Sequence, residues 1–324
     1  MARSFLTGAL RKQAEQYPAL LRTVWRIEAV LLGAFDQASG KLSPDRASAL
    51  GRRIMRTVGP HLDKTRHFRR NFSLAFPEKD PAQIDALVRG AWGNLGAVLA
   101  EYPHLGTITH TEAAQRCQVV IDHDLEVFKG RGRPAIFVEA HLGNWEVAPP
   151  VAVRRGVPLD VLYTPLQNPW LDRRLRHRRE ALGCGLINRY EAPRRMVRQL
   201  SRGGSIGLLT DQRVDSGELV PLFSIDMYTT TAPARLALRF GCELIPTRVE
   251  RLTGAHFRIS FHEPVRPEPG TRDENEKALQ MTRQLNALYE DWIRARPHEW
   301  MCSNRRWPKD AQAPPPRGRH DPGT

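Results

Sequence analysis

Apolar positions along this chain follow one spacing in its first third and another afterwards. Leu20, Val24, Ile27, Leu31 and Phe35 recur at helical intervals, with Arg22, Arg26 and Glu28 off the stripe, which predicts an amphipathic helix over 17–35. Another helix is predicted over 81–102, where Asp80 can cap the first turn and Pro77 and Pro81 bound the turn before it. From Val119 onward short apolar runs alternate with helical stretches. Strands are predicted over 119–122, 135–138, 159–163, 186–189, 205–210, 244–250 and 257–261. Helices are predicted over 125–130, 145–153, 168–182, 193–202, 229–240 and 273–294. Such alternation gives an α/β fold: a mainly parallel central sheet flanked by helices, with an N-terminal helical segment. The last two strands have little chain between them and should pair antiparallel. The organisation expected is a helical segment over 1–60, one main domain over 61–309, and a disordered tail over 310–324 marked by Pro314-Pro315-Pro316.

Composition narrows the partners. The 324 residues carry a formal net charge of +14 and a pI near 10.3, which favours anionic partners: nucleic acid, anionic lipid or an acidic protein. Cys117, Cys184, Cys242 and Cys302 are far apart and form no CxxC pair, so they read as reduced core thiols rather than a zinc site or disulfide frame. No run reaches the ~18 apolar residues of a membrane span, and no signal-peptide pattern follows Arg11-Lys12. The helix over 17–35 has two readings. It is either packed on the domain or lies in the plane of a membrane surface, helped by Arg3, Arg11 and Lys12.

The candidate chemistry sits at strand ends. The run Ala135-Ile136-Phe137-Val138 leads directly into Glu139-Ala140-His141-Leu142-Gly143-Asn144-Trp145-Glu146. His141 then lies on the C-terminal lip of a strand, where ligands bind in open α/β sheets. Gly143-Asn144 reads as a turn and helix N-cap, and Glu146 falls on the first turn of the next helix. A histidine supplies a near-neutral base and a carboxylate can fix its tautomer. On spacing alone, a strand-end histidine is more often an ordinary satisfied polar residue. Asp211-Gln212 ends another strand, and its plain reading is a turn. Arginines crowd the helices over 168–182 and 193–202, which usually means solvated faces. His104, His110, His123, His262, His298 and His320 have no partners at ligand spacing. There is no Walker-type or dinucleotide-type glycine loop.

Several blocks together carry a family resemblance. His141-Leu142-Gly143-Asn144-Trp145-Glu146 resembles the His-x4-Asp/Glu box of the bacterial lipid A biosynthesis acyltransferases, late (lauroyl/myristoyl-type) enzymes of the lysophospholipid acyltransferase superfamily. In the same order come Asn71-Phe72-Ser73-Leu74-Ala75-Phe76-Pro77-Glu78 with Asn94 and Glu101 in the helix after it, and Gly204 through Asp211-Gln212. Val220-Pro221-Leu222-Phe223, Thr229 to Ala237 and Gly241 to Pro246 continue the match, and Arg296 through Trp307 ends it. The chain departs from the family at Ser224-Ile225, where relatives carry glycine, and at Asn304, where they carry histidine.

The resemblance implies an O-acyltransferase without cofactor or metal. Its donor would be an acyl thioester on acyl carrier protein, and its acceptor a hydroxyl of an anionic phosphorylated glycolipid, a lipid A precursor. It would work on the cytoplasmic face of the inner membrane, held there peripherally or by its N-terminus. His141 and Glu146 would be catalytic, and backbone N–H groups after Gly143 would hold the oxyanion. Asn144, Arg179, Arg189, Arg194, Asp211, Gln212, Arg305 and Arg306 would bind substrate. The same-class rival is an acyltransferase acting on a lysophospholipid or a glycosylated phosphoinositide. A nucleic-acid-binding protein fits the charge but has no recognised module, and a metal hydrolase lacks the second histidine.

Overall fold

A computed structural model describes residues 17–110, 116–121, 125–130 and 132–313. Arg3, Arg11, Lys12, His123, and the tail beyond 313 with its prolines and His320 lie outside those residues. The chain opens with α1 (Pro18–Gly40) and α2 (Pro44–Val58). Ser43 caps α2 by accepting the N–H of Arg46, with Pro44 preset for the first turn. Then come α3 (Thr65–Ala75) and α4 (Pro81–Glu101), whose start is a capping box between Asp80 and Gln83. After the short α5 (Leu105–Thr109) the strands begin.

These are β1 (Cys117–Ile121), β2 (Ala135–Glu139), α6 (Ala148–Arg154), β3 (Leu159–Tyr163), α7 (Pro169–Ala181) and β4 (Gly185–Asn188). There follow α8 (Ala192–Ser201), β5 (Ser205–Leu209), β6 (Glu218–Leu222), β7 (Ile225–Thr229) and α9 (Ala232–Phe240). The described part closes with β8 (Glu243–Thr253), β9 (His256–Phe261) and α10 (Glu274–Ala295).

Seven strands form the main sheet in the order β1-β9-β8-β2-β5-β3-β4. The β8, β2, β5, β3 and β4 ladders are all parallel, as the alternating pattern predicts. The tight β8–β9 connection makes that pair antiparallel, and β1 then runs parallel to β9. One register decides the site. Glu139 of β2 faces Leu209 of β5, so the residues two steps beyond each strand, His141 and Asp211, emerge side by side at the C-terminal edge.

Two predicted details differ from the structure. The helix after His141 begins at Ala148 and not at Trp145. Pro149 and Pro150 lack N–H groups and are tolerated only in a first turn, which forces the start to just before them. Residues 144–147 are therefore a turn, and Asn144 does not cap a helix. Its Oδ1 accepts the N–H of Glu146 across that turn instead. The stretch after Val220 also forms a two-strand hairpin, β6–β7, which alternation in so short a run did not reveal. Its turn residues, Phe223 and Ser224, both have positive φ (55° and 59°), the backbone of a type I′ turn built without glycine. Burial of Phe223 against Phe76, Trp300 and Trp307 holds it there.

The sheet is packed on both faces. One core joins Ile136, Val138, Ile206 and Leu208 to α3, α4, α8, α9 and α10; the other joins Ala135, Phe137 and Ile259 to α5 and α6. On the outer side of the first core α2 crosses α4 backbone to backbone. A Cβ on Gly96 would sit 2.1 Å from the carbonyl oxygen of Gly51. Gly96→Ala should therefore lower stability by about 1–3 kcal/mol or more, as overpacking does. Gly106→Ala, where a methyl meets no atom within 4 Å, should be near neutral in the same denaturant titration.

Candidate active site

His141 is held from both sides of its ring. Its Nδ1 donates to Asp211 Oδ1 at 2.6 Å, and Nε2 meets the side-chain amide Nε2 of Gln212 at 3.2 Å. A carboxylate at Nδ1 requires that nitrogen to carry the proton, so Nε2 is the acceptor of the Gln212 N–H. The other Asp211 oxygen accepts the indole N–H of Trp300 at 2.9 Å. Asp211 is buried. Burial pushes its carboxyl up, but His141, the Arg306 charge and the Trp300 hydrogen bond outweigh that and hold it below the usual carboxylate range.

Glu146 was expected to orient the imidazole. The structure gives that contact to Asp211, because the 144–147 turn carries Glu146 toward α7 instead. There it forms a two-point pair with Arg179, whose Nε donates at 2.9 Å and whose Nη2 also reaches the carboxylate. Trp145 Nε1 donates at 3.1 Å, and the Tyr102 hydroxyl adds a further bond. Burial raises the Glu146 pKa, but Arg179 and these donors outweigh it and hold the carboxyl below its ordinary value. Glu139 is pushed well up by burial and by the Glu146 charge, and its Oε2 has no partner among the described residues. The two neighbouring carboxyls are thus pushed in opposite directions.

The turn that carries His141 is fixed from beneath. Gly143 has φ +57°, and a Cβ there would lie 2.7 Å from the Val249 carbonyl oxygen, so glycine answers both the conformation and the close approach. Asn94 Nδ2 donates to the Gly143 carbonyl at 2.7 Å and to that of Glu299 at 3.1 Å. Asn144, fully buried, donates to Glu101 Oε2 at 2.8 Å, and Glu101 is paired with Arg251. The segment after α10 returns to the same edge, where Met301 N–H donates to the His141 carbonyl at 2.9 Å.

The predicted substrate residues divide. Asn144, Arg179, Asp211 and Gln212 lie within this network, although Asn144 and Arg179 are spent on structural partners. Arg189 follows the end of β4, and Arg194 sits at the start of α8; both are exposed with no side-chain partner among the described residues. Arg305 is half-buried and likewise unpaired. Arg306 was expected to face the open edge, but its side chain turns inward because Trp300 and Trp307 anchor the segment on the core. It is 3% exposed, all three side-chain nitrogens lack a hydrogen-bond partner among the described residues, and burial lowers its pKa to about 10 against the pull of Asp211. Trp300 and Arg251 were missed as site residues. Trp300 stood in a matching late block, whereas Arg251 carries no sequence signal, its partner being 150 residues away. Among the described residues, no group of three or more His, Cys, Asp or Glu converges as metal ligands would.

Residues 23–309 match the family model described as bacterial lipid A biosynthesis acyltransferase. The chain belongs to that family. It is an acyltransferase acting on a lipid-type substrate, on the fold the sequence pattern predicted. No curated protein matches the sequence. Among solved structures it is similar to the 1-acyl-sn-glycerophosphate (LPA) acyltransferase PlsC from Thermotoga maritima. That likeness has 15% identity and a TM-score of 0.36, and covers 78% of this chain and 98% of that one.

This acyltransferase hangs its His141 turn on a buried ion pair. Removing one partner leaves the other charge uncompensated in the core, a loss of about 3–5 kcal/mol. Arg251→Met should therefore cost more stability than Arg189→Met in paired urea titrations, since Arg189 has no such partner.

Proposed function

We propose that the enzyme moves a fatty acyl chain from an acyl thioester of acyl carrier protein to a hydroxyl of a lipid A precursor, with His141 as general base. The observation that carries this is the Asp211–His141 hydrogen bond at the sheet edge. It leaves Nε2 as the basic nitrogen, in contact with Gln212, which with Asp211, Trp300, Met301, Asn304 and Arg305 lines a small neighbouring cleft. His141 takes the acceptor's hydroxyl proton through Nε2. Asp211 keeps the tautomer and balances the imidazolium that forms; His141 itself, and behind it the Arg306 charge, lower the Asp211 carboxyl against burial. The hydroxyl attacks the thioester carbonyl directly, without a covalent enzyme intermediate. Glu146 acts through Arg179, bracing the turn next to the imidazole. Arg189, Arg194 and Arg305, whose guanidinium groups have no partner among the described residues, are suited to acceptor phosphates. The net charge of +14 suits both an acidic carrier protein and anionic lipid.

The enzyme works peripherally on the cytoplasmic face of the inner membrane. No helix among the described residues is long and apolar enough to cross a membrane. On α1, however, Leu20, Ile27, Val30 and Leu31 are 49–68% exposed, an apolar face with Arg22 and Arg26 beside it, as in-plane helices have. Helix α7 links this face to the site: Arg174 and Arg178 hold Asp36 of α1, while Arg179 holds Glu146.

His141→Ala should lower transfer to the acceptor by at least ~10²–10⁴-fold with the fold intact. Asp211→Asn should fall by a comparable factor, because an amide no longer stabilises an imidazolium. Glu146→Gln should lose mainly thermal stability, since it leaves Arg179 buried without its charge partner. Full activity in folded His141→Ala protein excludes this mechanism. Sedimentation with vesicles containing anionic lipid checks the surface reading. The chain should co-sediment at low salt and be released in part at high salt, and Ile27→Asp with Leu31→Asp should abolish co-sedimentation.

A further inference from the structure

The atom that must receive the acceptor's proton is already engaged. Gln212 Nε2 lies 3.2 Å from His141 Nε2, at the distance and on the side where an acceptor hydroxyl oxygen must sit to be deprotonated. The Gln212 carbonyl has no partner among the described residues, and the side chain is only half-buried, so nothing but the imidazole holds the amide in place. An arriving hydroxyl displaces it and leaves an N–H donor one hydrogen-bond length from the reacting centre. Meanwhile two of the donors that a helix start after Gly143 would supply are already taken. The N–H of Glu146 is taken by Asn144 Oδ1 and that of Val147 by the Asn144 carbonyl, and the helix begins only at Ala148.

We infer that Gln212 is a catalytic residue: it occupies the acceptor's seat in the free enzyme and, once displaced, donates its amide N–H to the thioester carbonyl oxygen as negative charge develops there. This rests on the reading of His141 as base. In the step, the acceptor O–H bond breaks and its proton passes to His141 Nε2. The oxygen bonds to the carbonyl carbon, and the C=O π pair moves onto the oxygen that accepts the Gln212 N–H. Collapse breaks the C–S bond, and the departing thiolate takes the proton back from His141. A donor aimed at this oxygen contributes to the transition state more than to ground-state binding, so its loss appears in kcat.

The test uses the full chain, a dodecanoyl thioester of acyl carrier protein as donor, and a phosphorylated hydroxyacyl disaccharide as acceptor. Gln212→Ala and the near-isosteric Gln212→Leu should each lower kcat by ~10²–10³-fold, with acceptor KM little changed and thermal midpoints near wild type. Leu fills the space without a donor, so it separates loss of the N–H from loss of packing. Wild-type or higher kcat in either folded variant overturns the inference, since the amide would then be only a stopper. A raised acceptor KM with unchanged kcat also overturns it, because the contact would be ordinary binding. His141→Ala, run alongside, tells the two failures apart. If it is inactive while the Gln212 variants are normal, only this inference fails; if it is active, the base reading fails as well.

Discussion

A buried ion pair between Glu101 and Arg251 is the contact on which the His141 edge depends. Glu101 is the last residue of α4, where the helix end already presents carbonyl oxygens and an added carboxylate is unfavourable. Arg251, on β8, answers that charge and fills its remaining donors with Asn94 Oδ1 at 3.1 Å and the Gly254 carbonyl at 2.7 Å. Glu101 in turn accepts from Asn144. Two desolvated charges are a poor source of net stability. Their worth here is positional: with every strong donor and acceptor satisfied, α4, β8 and the turn after β2 have one arrangement that leaves no charge stranded. The Gly51–Gly96 crossing of α2 on α4 keeps that helix end from drifting.

Three carboxyl groups share the C-terminal edge of the sheet and are shifted in different directions because they differ in partners. Glu139 is pushed up by burial and by a like charge beside it. Glu146 is equally buried but lies in the fork of Arg179. Asp211 is offset by an imidazole, an indole N–H and the field of Arg306. Environment thus separates the acidities of neighbouring acids on one edge. Arg306 acts in this arrangement by its field, since none of its nitrogens has a hydrogen-bond partner among the described residues.

Helix α7 gives its dense arginines separate tasks. Arg174 and Arg178, one turn apart, meet Asp36 on α1, and Arg179 on the adjoining face meets Glu146. A displacement of α1 therefore acts on the turn beside His141 through a single rigid element. That coupling suits an enzyme proposed to take its acceptor from a surface on which α1 lies.

The sequence by itself determined most of the architecture. Spacing of apolar residues depends on local geometry alone, so the parallel α/β pattern, the antiparallel closing pair, the Asp80 cap and the strand-end positions of His141 and Asp211 were all legible. The family blocks, read in order, carried the acyltransferase class. Other features depended on which distant segments meet. Which carboxylate faces His141 is decided by the β2–β5 register and by a pair of prolines that delays α6; a His-x4-Glu spacing carries neither. The inward turn of Arg306 follows from two tryptophans seating on a core built by other elements. The Glu101–Arg251 pair joins a helix end to a strand 150 residues later. Local pattern ranks positions by periodicity, whereas the charge state and aim of a buried side chain are set by the atoms that fold against it. Only the tertiary structure decided those.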